Sequence, residues 1–79
     1  MSPMAARYYA VQGCFARGGW KTLPTLASRK EHEAIHLMEE VSAEQPRMVY
    51  RVQRMAHGWE PEGEEPNITT ALRWITTQN

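Results

Sequence analysis

Residues 28–40 read SRKEHEAIHLMEE, and within them His32, Glu33 and His36 stand at a spacing that could do chemistry. On a helix, side chains four residues apart lie one above the other on the same face. Two such imidazoles can hold a zinc ion, and the carboxylate between them can act as general base toward a metal-bound water. A working centre also needs a third protein ligand and a dry, shaped cavity. Cys14 and His57 are the other residues with reactive potential, as a thiol and a base. A lone cysteine in a strand is expected instead to be a small core residue. The acceptor triplet Asn67-Ile68-Thr69 has meaning only in a secreted chain.

The run His32-Glu33-Ala34-Ile35-His36 resembles the zinc metalloproteases over five residues and nothing more. It departs from the longer metzincin pattern, because Glu39 and Ser42 stand where that pattern has glycine and a third histidine. A downstream glutamate ligand would have to come from residues 60–65, a loop with no cause to be rigid. At about 100° per residue, Ala34, Met38 and Val41 form one stripe, and His32 and His36 point nearly opposite to it. The expectation is a solvated polar helix face with no metal, no catalytic residue, no cofactor and no enzymatic activity.

The elements around this helix follow from period and punctuation. At 79 residues and 42% hydrophobic content, the chain is expected to form a single domain over residues 1–79. A chain this short buries roughly 60% of its unfolded surface. Residues 1–6 are expected to be a frayed start. RYYAVQGCF reads as a strand, with Tyr9, Val11, Gly13 and Phe15 on one face and Tyr8, Ala10, Gln12 and Cys14 on the other. ARGG is a turn, because paired glycines supply the positive φ of tight hairpins. WKTLPTL returns as a second strand, which Pro24 confines to a sheet edge because proline cannot donate to a ladder. Ser28 and Glu31 form a capping box that opens the helix. Ala34, Ile35, Met38 and Val41 are its buried stripe, and Pro46 ends it near Gln45.

RMVYRVQRM is the third strand, with Met48, Tyr50 and Val52 on one face and Arg47, Val49, Arg51 and Gln53 on the other. With the helix as a right-handed crossover, strands two and three run parallel and strand one lies between them, in order 2-1-3. The expected class is α+β, a small three-stranded antiparallel or mixed sheet with one helix packed on one face. Residues 56–66 are an acidic Pro/Gly loop. The tail ITTALRWITTQN fits either a second helix begun by Asn67 or a fourth strand.

Charge narrows the function classes. Nine acidic residues, all glutamate, balance nine basic ones. The glutamates fall in the helix and in the 60–65 loop, whereas the strand segments carry only positive charge. Such segregation speaks to partners more than the zero sum does. No apolar run approaches the ~20 residues of a membrane span, and MSPMAARYY lacks the features of a secretory signal. With one cysteine, a cytoplasmic setting is expected. The Arg47, Val49, Arg51 and Gln53 face is the candidate partner-binding surface, joined by Tyr8 and Gln12. It would suit a protein with an acidic surface. The alternative is a nucleic-acid module, since basic residues among aromatics contact phosphates and stack bases; zero net charge opposes it. A homodimer is also admitted, and no membrane partner is expected. An intramolecular outcome competes with all of these, in which the tail packs on that face or the acidic loop covers the arginines. At least one of Trp20, Trp59 and Trp74 is expected in the core, and Trp59 is the candidate exposed anchor.

The layout RYYAVQ, GGWKTLPTLASRKEHEA and MVYRVQRM resembles small accessory proteins of bacteriophages and prophages, over about residues 7–55. That resemblance implies a non-enzymatic inhibitor of one host protein or defence system, anti-CRISPR proteins among them, acting in the host cytoplasm. It carries over no site residue.

Protein purified without added metal should contain no stoichiometric zinc by elemental analysis. One tightly held zinc per chain, lost in His36→Ala, would restore the metal reading.

Overall fold

The computed structural model describes residues 7–78, so the expected frayed start at residues 1–6 lies outside the described residues. Strand β1 (Tyr9–Phe15) leads through a turn into β2 (Gly19–Ser28). Gly18 and Gly19 take φ of 90° and 65° there, a region where glycine pays no Cβ penalty. Helix α1 (Glu31–Glu44), strand β3 (Val49–Arg54) and helix α2 (Ile68–Gln78) follow. The sheet order is β2-β1-β3. β1 is antiparallel to both neighbours, so β2 and β3 run parallel to each other, as a crossover through α1 requires. Residues 55–67 contain no helix or strand.

Both helices cover the same face of the sheet. Val11, Phe15, Leu23 and Leu26 from the strands meet Val41 of α1 and Ala71 and Ile75 of α2 in one buried cluster. Leu37, Met38, Met48, Tyr50, Ile68, Leu72 and Trp74 pack around it. Trp74 meets Phe15 edge to face at 5.5 Å, a geometry the ring quadrupoles favour. The tail is therefore a helix, and it packs on the core face rather than over the basic one. Asn67 begins it, as the helix alternative has it, its Oδ1 accepting the Thr70 N–H at 3.0 Å. Thr76 and Thr77, which would suit a strand, donate their hydroxyls to the Leu72 and Trp74 carbonyls instead. Such back-bonding accommodates threonine in a helix that tertiary packing already favours.

The start of α1 differs from the capping box. Ser28 is still in β2, opposite Tyr9. Its hydroxyl accepts the Lys30 N–H at 3.1 Å and donates to Glu33 at 2.6 Å. That bond from Ser28 is the main cause holding the Glu33 carboxyl below its ordinary range. Lys30 is the N-cap, without a side-chain bond, and Glu31 is the first helical residue. The strand runs two residues further than its sequence suggests, so Ser28 serves the turn and not the helix. The buried stripe is also shifted. Ala34 and Val41 are fully buried with Leu37 and Met38 beside them, while Ile35 is 39% exposed. Ile35 sits about 100° around the helix from Ala34, on the solvent flank.

The β1–β2 register jumps from Gln12↔Thr22 to Ala10↔Ala27. Pro24 and Thr25 lie in the resulting bulge, and Thr25 has a φ of 66°, a strained value for a β-branched residue. Its hydroxyl donates to the Asn67 carbonyl at 3.2 Å and accepts the Asn67 N–H at 3.1 Å. Two hydrogen bonds thus tie the edge bulge to the first turn of α2.

Asn67→Ala should lower stability by about 1 kcal/mol through loss of the cap, read as a reduced urea midpoint. Ser28→Ala should leave helix content unchanged by circular dichroism, since Ser28 caps nothing. A loss of helicity in Ser28→Ala would reinstate the capping box.

Candidate functional site

The face of the sheet away from the helices carries side chains in cross-strand rows. Pairing places Val49, Cys14 and Trp20 in one row, and Arg51, Gln12 and Thr22 in the next. Gln53, Ala10 and Ala27 form the third. Alternation thus puts Val49, Arg51 and Gln53 where the sequence places them. Arg47 is exposed but lies in the turn before β3 rather than within the strand.

The middle row is bonded throughout. Gln12 Nε2 donates to Thr22 Oγ1 at 3.0 Å, and Arg51 Nε donates to Gln12 Oε1 at 2.8 Å. Gln12 is only 9% exposed, so its amide is fixed in orientation by both bonds. The Arg51 guanidinium lies 4.2 Å from the ring centre of Trp20, within cation–π range. One guanidinium edge is thereby used and the indole supports its plane. The terminal nitrogens remain presented to solvent, and no carboxylate among the described residues pairs with them. Around this group Val49 is 65% and Trp20 38% exposed, and Cys14 is exposed as well. The expectation of a core Cys14 fails because the strand's pleat turns it to the open face, and no contact joins it to His57 among the described residues.

The far end of this face is closed. Trp59 packs edge-on against Tyr8 at 6.0 Å, and the Arg29 guanidinium lies 4.4 Å from the Tyr8 ring centre. Trp59 and Pro61 line a crevice with Pro24 and Thr25, and Ala10 and Ala27 beneath are buried. Trp59 is half-buried in this packing, not the exposed anchor its polar neighbours suggest. None of the three tryptophans is fully buried: Trp59 and Trp74 are half-buried and Trp20 is exposed. The acidic loop therefore covers the Tyr8 end of the face and leaves the Arg51 end open.

Trp20 is the residue that sequence reasoning missed. A signal existed, because a three-residue turn sets Phe15 opposite Gly19 and so Trp20 opposite Cys14.

His32 and His36 are exposed on α1. His36 approaches Glu39 at 3.7 Å and Glu40 at 4.0 Å. Among the described residues, no group of three or more His, Cys, Asp or Glu side chains is arranged to hold a metal ion. His32, Glu33 and His36 themselves line a shallow groove of about 630 Å³, whose other walls are Tyr8, Ala27, Ser28, Arg29, Leu37 and Pro66. No helix among the described residues is long and apolar enough to cross a membrane.

Fold and site together define a small α+β domain with two helices on one sheet face and an arginine-centred platform on the other. No protein-family model, curated protein or solved structure matches this chain.

Gln12→Leu should cost about 1 kcal/mol in urea denaturation and increase acrylamide quenching of tryptophan emission. Unchanged quenching would mean that Arg51 stays on Trp20 without the glutamine.

Proposed function

We propose that this chain is a non-enzymatic protein-binding module that docks an acidic surface of a partner on the Arg51 end of its open sheet face. The observation that carries the reading is the held guanidinium: Arg51 is bonded by Gln12 and stacked on Trp20, with its terminal donors free for a carboxylate. A planar fork suits bidentate carboxylate recognition. Fixing it before binding lowers the ordering cost of association. Trp20 and Val49 supply exposed apolar area beside the charge, and tryptophan with arginine is the pairing enriched in binding hot spots. The resemblance to phage accessory proteins supports the narrower reading, an inhibitor of a host protein or defence system that works by occupying such a surface in the host cytoplasm.

A second reading, a nucleic-acid module, draws on the same Trp20 and Arg51, since an indole and a guanidinium also serve a base and a phosphate. Affinity capture from bacterial lysate with and without nuclease separates the two.

Arg51→Glu should abolish capture of a nuclease-resistant protein partner and leave stability within about 1 kcal/mol of wild type, because charge reversal at a docking surface acts on association. Glu40→Lys, on α1, should bind normally. Binding lost in Glu40→Lys and kept in Arg51→Glu would move the active surface to the helix.

A further inference from the structure

The two edges of the sheet are built differently. On β2, the bulge carrying Pro24 and Thr25 interrupts the strand, and Thr25 is tied to Asn67. An incoming strand would meet a missing donor, a left-handed residue and the start of α2. On β3 the backbone is regular. Met55 N–H donates to the Tyr8 carbonyl, which in the observed register makes Val49, Arg51 and Gln53 the residues bonded to β1. Antiparallel pairs alternate in this way, so Tyr50, Val52 and Arg54 direct their N–H and C=O groups outward. The Arg54 carbonyl accepts the Gln53 side-chain amide at 3.1 Å. Among the described residues the other outward groups meet no partner.

Natural edges are commonly guarded by charge, and here the guard has one sign. Arg51 projects on the open face and Arg54 on the opposite face, three residues apart, with no acidic residue in β3. Glu39 of α1 lies across a groove from Tyr50, which leaves the Arg51–Arg54 end as the positive part of the edge. Two copies joined through β3 would gather positive charge along one edge with no acidic residue of the strand to balance it.

We infer that β3 accepts an extended acidic segment of the partner as a fourth strand, paired along Tyr50, Val52 and Arg54. On an added strand, residues three apart also face opposite sides. The matching segment therefore carries two carboxylates at i and i+3, one beside Arg54 and one on the face of Arg51, whose guanidinium leans inward over Gln12 and Trp20 and attracts it through space rather than in a direct pair. Main-chain bonds would supply affinity and the two charges the selection, as in other strand-addition modes. The inference rests on the reading that the Arg51 region docks an acidic protein, and adds which backbone does the pairing.

The probe is a blocked peptide, Thr-Val-Glu-Val-Thr-Glu-Val-Thr, with a lysine-for-glutamate version as control. Addition at millimolar concentration should slow exchange of the Tyr50 and Val52 amides by about tenfold or more; the control should not. Arg54→Pro removes an outward N–H without touching the bonds to β1, so it should abolish the protection. Arg54→Gln should only weaken it. Peptide that shifts the Trp20 indole resonance without protecting these amides would overturn the strand inference while keeping the docking reading. A peptide that perturbs neither overturns the strand inference, and Arg51→Glu capture then judges the docking reading separately. Slow exchange of the same amides without peptide, with a dimer mass in sedimentation, would assign the edge to a second copy and overturn the inference.

Discussion

Everything in this molecule depends on a three-stranded sheet that has only enough apolar side chains for one face. Val11, Phe15, Leu23 and Leu26 all turn the same way, and both helices compete for that side. α1 supplies Ala34 and Val41, small residues that let it lie close, and α2 supplies Ala71 and Ile75 alongside. Because a chain of this size has little apolar area to distribute, the second helix adds most by enlarging the existing core. Among the described residues no helix covers the opposite face, and the exposure of its Arg51 end follows from the economy of the core.

An exposed sheet face must then be made of side chains that tolerate water and still hold the strands in register. The row of Thr22, Gln12 and Arg51 does this with two cross-strand hydrogen bonds. Trp20 contributes area against the guanidinium. These contacts have structural reasons to exist, and they also pre-arrange a charged group for recognition. The same geometry serves both ends, so a functional reading requires no departure from ordinary sheet chemistry. At the other end of the face, Trp59 folds over Tyr8 and closes the sheet with loop residues. The acidic loop is thereby held away from Arg51, and positive and negative surfaces remain separate.

The bulge at Thr25 links the sheet to α2 in a way that no propensity scale would register. A β-branched residue at φ 66° is costly, and the reciprocal bonds to Asn67 offset that cost while fixing where α2 begins. The edge distortion also leaves the two outer strands unequal. β2 is interrupted and braced, whereas β3 keeps a regular outer ladder.

Period and punctuation in the sequence determined the three strands, the crossover helix, the order 2-1-3 and the inward and outward sides of β3. They did so because alternation and helical spacing are local patterns that a single buried face enforces. Pro24 at an edge was legible for the same local reason, and Asn67 only as the start of one of the two forms open to the tail. Tertiary structure alone decided the rest. It chose helix for the tail, since Ala71 and Ile75 find a core only in that form. It drew Ser28 into the strand and replaced Ile35 with Leu37 in the stripe, because pairing with Tyr9 and the position of α2 are not encoded nearby. It also put Trp20 against Arg51 and Trp59 against Tyr8. Those contacts join residues 31 and 51 positions apart in sequence, and only the closed sheet and the crossing loop bring them within reach.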